Sequence, residues 1–151
     1  MALREQILKT IDGYLEGFNT NTPEGTIAHR TPDCKHRIIP DSDQNPVRSN
    51  EEYRDFMGPS FGIMKNFHLK LLEGVDPIVD VDARKAVLHL TSSAETPLGP
   101  YKNTYIFTFH FTEDGTQIDH VLEFVDTKTV SDFVPAILKW IAENVPGAAS
   151  A

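Results

Sequence analysis

Residues 101–126 alternate so strictly that they admit little besides a two-stranded antiparallel hairpin. Tyr105, Phe107, Phe109 and Phe111 fall on one side of an extended chain, with Thr104, Thr108 and His110 on the other. Glu113-Asp114-Gly115 then supplies a turn, glycine standing where a positive φ is needed. On the return, Ile118, His120, Leu122, Phe124 and Asp126 share one face, and Asp119, Val121 and Glu123 the other. A row of large aromatics continued by a face that includes His120 predicts a sheet wall around a greasy cavity with few polar groups. Such cavities take small apolar molecules.

The remaining pattern supplies helices to close that cavity. Leu3, Ile7, Leu8, Ile11, Tyr14, Leu15 and Phe18 recur at spacings of three and four, which predicts an amphipathic helix over 3–19. Thr22-Pro23-Glu24 opens a short second helix through His29, and Thr31-Pro32-Asp33 is a turn. Residues 34–39 read as a short strand closed by Pro40, and residues 41–47 as a polar loop. Ser49-Asn50-Glu51-Glu52 caps a third helix carrying Tyr53, Phe56, Met57, Phe61 and Met64, which Gly58-Pro59 should kink or interrupt. Strands follow over 67–80 and 83–95, then the hairpin. Ser131 caps a terminal helix through Asn144, and residues 146–151 read as a frayed tail. Helices followed by a run of antiparallel strands give an α+β fold, with a curved sheet wrapped around the helices.

Composition removes several classes of function. The 151 residues are expected to form a single domain with an ordered core over about 3–145. A net charge of −8 argues against nucleic acid and anionic membrane surfaces as partners. No apolar run reaches the roughly 18 residues of a membrane helix, and no basic-then-apolar leader opens the chain, so a cytoplasmic protein is expected. Cys34 is the single cysteine, which excludes an internal disulfide and a cysteine-based metal cluster. No two histidines show ligand spacing on one element, so no metal site is expected.

Four landmarks occur in order: Tyr-Leu-Glu-Gly-Phe-Asn (14–19), Arg-Thr-Pro-Asp-Cys (30–34), Asn-Glu-Glu-Tyr (50–53) and Asp-His-Val-Leu-Glu-Phe-Val-Asp (119–126). With them the chain resembles the NTF2-like superfamily, in its SnoaL-like branch, over almost its whole length. The resemblance implies a cone-shaped cavity, a fold that hosts isomerases, cyclases, dehydratases, hydrolases and inert binding modules alike. His-Arg-Ile-Ile-Pro (36–40) narrows the similarity to fungal isomerases of the terretonin, austinol and paraherquonin type. That resemblance implies a cofactor-independent homodimer moving protons on an apolar polycycle in meroterpenoid or polyketide biosynthesis. The alternatives are a non-catalytic, dimeric small-molecule-binding module, or a hydrolase or dehydratase on the same fold. Ketosteroid isomerase, also of the superfamily, has a helix-one tyrosine corresponding to Tyr14, but its two acids fall near Ile38 or Ile39 and near Phe107. Proton chemistry here must therefore use other groups.

Among those groups His120 leads, because an imidazole in an apolar cavity titrates near neutrality and suits a general acid or base. Either His36 or Arg37 can face inward from the first strand; similarity to the fungal isomerases favours Arg37, a permanent cation for an ester or enolate oxygen. By family position Tyr14 would donate its hydroxyl to a substrate oxygen. Phe18, Tyr53, Met57, Phe61, Phe107 and Phe109, with Leu122 and Phe124, are the expected substrate-contacting wall. Asp119 and Glu123 are expected outward, and Asp126 as a cap or rim acid. The outer sheet face, bearing Thr104, Ile106, Thr108, Val121 and Val125, is half apolar and predicts a homodimer.

Overall fold

The computed structural model describes residues 1–40 and 45–148. Helix α1 (Leu3–Phe18) and a single 3-10 turn (Glu24–Ile27) precede strand β1 (Arg30–Ile39). Helix α2 (Asn50–Ile63) leads into β2 (Lys65–Leu71), β3 (Ile78–Asp80), β4 (Lys85–Thr96), β5 (Gly99–Phe111) and β6 (Ile118–Val125), and α3 (Thr127–Asn144) follows. The strands form one mixed sheet in the order β1-β6-β5-β4-β2, with β3 also paired to β4. β1 runs parallel to β6, and the other pairs are antiparallel. This is the expected α+β architecture, helices and one mixed sheet.

Several boundaries differ from the sequence pattern for local reasons. The expected strand over 67–80 is two pieces, because Glu73-Gly74 turn, glycine at φ +77°, and Pro77 delays re-pairing; both pieces bond the same side of β4. The first strand begins at Arg30 instead of 34, so Thr31-Pro32-Asp33 lies within it. α2 opens on the Ser49–Glu52 capping box and runs through Pro59 uninterrupted. The cap of α3 is Asp126, whose side chain accepts from the Lys128 and Thr129 amides, and not Ser131. Most of the expected polar loop (41–44) and the last three residues of the expected tail (149–151) lie outside the described residues.

The core lies between α1 and the inner face of β4 and β5. Ile7, Ile11 and Tyr14 of α1 are buried against Leu88, Leu90, Phe109 and Phe111. Successive inward rings on β5 meet edge to face, Phe107–Phe109 at 5.9 Å and Phe109–Phe111 at 6.1 Å; each such pair contributes about 0.5–1.5 kcal/mol beyond its area. The hairpin turn is pinned to α1: Thr10 Oγ1 donates to the Gly115 carbonyl at 2.6 Å, and a Cβ at Gly115 would stand 2.9 Å from Leu3 Cδ1. At the other side, Asn19 and Asn21 side chains each give and take one hydrogen bond with the β2 backbone, at Leu69 and Phe67. These two amides cap an edge that would otherwise present open backbone groups.

Candidate active site

Inward alternation on β5 continues past the phenylalanines: Tyr105, Asn103 and Tyr101 follow on the same side. Glu123 of β6 lies directly opposite Phe107 and joins them. Together they form the polar strip of a cavity of about 410 Å³, a volume suited to a small organic molecule. The rest of the wall is largely apolar, with Asn45, Ser60 and Thr127 as further polar residues. Phe18, Ile38, Phe67 and Leu69 contribute to this wall, with Tyr53, Met57 and Phe61 of α2 and Val130, Phe133 and Ile137 of α3.

Glu123 is 7% exposed and is held from behind by a buried chain of groups. His36 Nε2 lies 2.9 Å from Glu123 Oε1, and His36 Nδ1 lies 3.0 Å from Arg30 Nη2. A guanidinium can only donate, so Nδ1 must accept, and the imidazole proton sits on Nε2 and is donated to Glu123. Burial, the largest influence, pushes the His36 pKa down to about 4, with the Glu123 carboxylate acting against it. The ring is therefore neutral at physiological pH, in one tautomer. It is stacked on Tyr53, with centroids 4.0 Å apart and planes at 13°. Arg30 lies over Tyr53 at 4.6 Å and also donates to Tyr14 Oη at 3.2 Å. Its Nε and Nη1 have no hydrogen-bond partner among the described residues, so cation–π contact with the Tyr14 and Tyr53 rings offsets part of the cost of desolvating this cation.

On the facing strand, the Thr104 amide donates to Asn103 Oδ1 at 2.8 Å, which turns the side-chain Nδ2 toward Tyr101, 2.9 Å from its hydroxyl oxygen. Tyr101 accepts that bond, leaving its own proton for the cavity. Tyr105 shares a 2.8 Å hydrogen bond with Ser92. Burial raises the pKa of Tyr101 and carries that of Tyr105 well above the usual phenol range, so both remain protonated. The strip thus offers one carboxylate and two phenols on one wall.

Several side chains lie elsewhere than the sequence pattern placed them. His120 is on the outer face, its side chain 67% exposed, paired with Asp119. Leu122 and Phe124 are outward beside it, Phe124 46% exposed. The reason is a β-bulge: His110 pairs with His120 but Phe111 with Ile118, so Asp119 is an extra residue and the alternation inverts across it. The same inversion turns Glu123, Val121 and Val125 inward, against the outward placement expected for each. On β1 the inward residue is His36, fully buried, and Arg37 is exposed on the opposite face. His36, Tyr14 and Phe109 are buried beneath the cavity without lining it; the Tyr14 hydroxyl is engaged by Arg30, and burial raises its pKa to about 12. Phe18, Tyr53, Met57, Phe61 and Phe107 do line the cavity. Tyr101, Asn103 and Arg30 were missed by the sequence pattern. Two more steps of the β5 alternation lead to the first pair, whereas Arg30 fell outside a strand taken to begin at residue 34.

No family model matches the chain. It is similar in sequence to Austinoid biosynthesis clusters protein F of Penicillium brasilianum, 35% identical over 85% of each chain. It is also similar to Monooxygenase dmxR10 of Cryptosporiopsis sp., 32% identical over 89% of each. Among solved structures it superimposes on the BvnE pinacolase from Penicillium brevicompactum with a TM-score of 0.85 and 38% identity, covering 88% of this chain and 91% of that one.

Proposed function

The chain belongs to the NTF2-like superfamily, in the SnoaL-like group of fungal biosynthetic enzymes that includes the BvnE pinacolase, and from that premise we propose that it isomerises an apolar, oxygenated polycycle by acid–base chemistry. The observation that carries this reading is the presence of the Glu123 carboxylate and the Tyr101 phenol on one wall of a largely apolar cavity. Glu123 removes the proton of a substrate hydroxyl. As that C–O bond becomes a carbonyl, a carbon substituent migrates with its electron pair to the adjacent electrophilic carbon. The electrons displaced there, onto a carbonyl or imine heteroatom, are met by the Tyr101 proton, with Tyr105 beside it. One proton is taken and one is given, no electrons leave the substrate, and the residues present suffice for the step. Solvent exchange resets Glu123 and Tyr101.

The buried groups set this up without touching substrate. His36 orients the carboxylate through Nε2–H, and Arg30 fixes the His36 tautomer and balances the Glu123 charge. The aromatic walls exclude water and position the ring system. A bulk hydrophobic fit supplies affinity, while Glu123, Asn103 and the two phenols set orientation.

The test is incubation with a panel of polycyclic α-hydroxy ketones and α-hydroxy imines in D2O, with products read by mass and NMR. An isomer of unchanged formula, save for exchanged deuterium, is the expected product. Loss of water would make it a dehydratase, gain of one oxygen a monooxygenase of the kind dmxR10 is named for, and tight binding without turnover a carrier.

Dimerisation is proposed with its surface revised. The outward apolar residues are Ile106, 38% exposed, Leu122 and Phe124, instead of Val121 and Val125, which are turned inward. Light scattering at micromolar concentration should give twice the chain mass, and Phe124→Asp should halve it.

A further inference from the structure

We propose that His110, Asp119 and His120 form a binding site for one divalent transition-metal ion of the zinc class on the outer face of the sheet, separate from the cavity. Each residue offers one ligand atom, and all three atoms lie within 4.8 Å of one another. Asp119 Oδ1 is 2.6 Å from His110 Nδ1 and 3.1 Å from His120 Nδ1. The backbone makes this convergence. At the bulge the adjacent side chains of Asp119 and His120 both stand on the outer face, opposite His110 on the neighbouring strand. Ligand spacing along a single element, the usual sequence signal, cannot reveal a site assembled from a bulge and its cross-strand partner.

The donor set identifies the class of ion. Two imidazoles and one carboxylate suit Zn, Co, Ni or Cu, whereas Ca and Mg prefer oxygen-rich shells. Zinc bonds of about 2.0–2.1 Å in tetrahedral geometry put donors roughly 3.3 Å apart, so the Asp119–His110 contact of 2.6 Å must open by about 0.7 Å and the Asp119–His120 contact of 3.1 Å by about 0.2 Å, with the two imidazole nitrogens, which lie within 4.8 Å, drawn to the same spacing. The side chains can comply, being 27%, 30% and 67% exposed for His110, Asp119 and His120. A fourth position faces solvent and is left for water. Lys85 pairs with His110 and Lys35 with His120 on the flanking strands, both exposed. Their charge opposes a cation and keeps the affinity below that of a closed structural site. The apolar pair Ile106–Phe124 lies four residues along the same strands, roughly 13 Å away. Metal would therefore tie β5 to β6 at the closed end of the hairpin without occupying the apolar patch.

The test uses tag-free full-length protein stripped with chelator. Cobalt titration followed by visible absorption, and zinc titration by calorimetry, should each give one ion per chain, with the d–d bands of a four-coordinate site. His120→Ala, the most exposed of the three and the safest for folding, should weaken binding by at least the roughly 10–100-fold that loss of a mere supporting group costs. His110→Ala combined with it should abolish the cobalt spectrum, with circular dichroism unchanged. Persistence of the spectrum in the double variant would assign the ion to other histidines and overturn the proposal. So would the absence of saturable zinc binding, or displacement of cobalt by equimolar magnesium or calcium.

Discussion

The two faces of the β5–β6 hairpin carry similar residue types and do opposite things. Inside, Tyr101, Asn103, Tyr105 and Glu123 are ordered by buried hydrogen bonds around a cavity. Outside, His110, Asp119 and His120 cluster half in solvent, with Ile106 and Phe124 exposed roughly 13 Å further along the same strands. One inserted residue separates these outcomes. Without the Asp119 bulge, the parity running from Ile118 would aim His120 and Phe124 at the core and turn Glu123 out. A charge that is expensive to bury is thus placed inward only where His36 and Arg30 already wait to receive it.

The sharpest way to break this contrast is to neutralise the inner carboxylate and compare it with an outer cation. Glu123→Gln keeps an oxygen for the His36 Nε2–H, so the fold should hold while turnover falls by roughly 100- to 10,000-fold, the usual loss for a general base. Arg37→Ala, on the outer face, should leave kcat within about twofold. Steady-state rates on the same substrate decide it. Equal losses in the two variants would return the chemistry to the outer face.

The buried support of Glu123 has its own signature in pH. The folded-state pKa of His36 is about 4, against 6.5 for a free imidazole. Above pH 6.5 both states are neutral and the group contributes nothing to the pH dependence. As pH falls below 6.5 the unfolded chain takes up a proton that the folded chain refuses, so stability is lost progressively until about pH 4. The loss is on the order of 3 kcal/mol for this fully buried ring. Urea unfolding at pH 7 and pH 4.5 should show it, and His36→Gln should flatten that part of the curve. An unchanged slope would mean that the ring is already charged when folded.

Most of the architecture was legible in the sequence because its cues are local. Period-two aromatics gave β5, threes and fours gave α1, and the Ser49–Glu52 box marked α2 where the chain places it. The inner wall of β5 was legible for the same reason. What failed was everything that depends on counting across an irregularity. Alternation assigns a face only relative to its neighbour, so one bulge at Asp119 inverted each assignment beyond it on β6, and Glu123 was lost to the outer face. A long-range device hid the rest. Arg30 and His36 acquire meaning only when β1 lies parallel to β6 and brings them to Glu123, 87 residues beyond His36.

The proton donor should show a moderate effect. Tyr101→Phe removes the acid but leaves the ring, its packing on Phe133 at 4.7 Å included. Turnover should fall about 10- to 100-fold with little change in KM, since Tyr105 remains nearby to donate less well.

The smallest predicted effect tests whether Asn103 acts through Tyr101. Its amide donates to the phenol oxygen at 2.9 Å, and its own orientation is fixed by the Thr104 amide at 2.8 Å. In Asn103→Leu the Tyr101 proton is free to rotate among acceptors, and the phenolate formed during the reaction loses a donor. A single neutral hydrogen bond is worth about 1 kcal/mol, so kcat should drop roughly fivefold with KM nearly unchanged. In the Tyr101→Phe background the same substitution should cost almost nothing, because the group it serves is gone. Additive losses in the double variant would mean that Asn103 contacts the substrate itself.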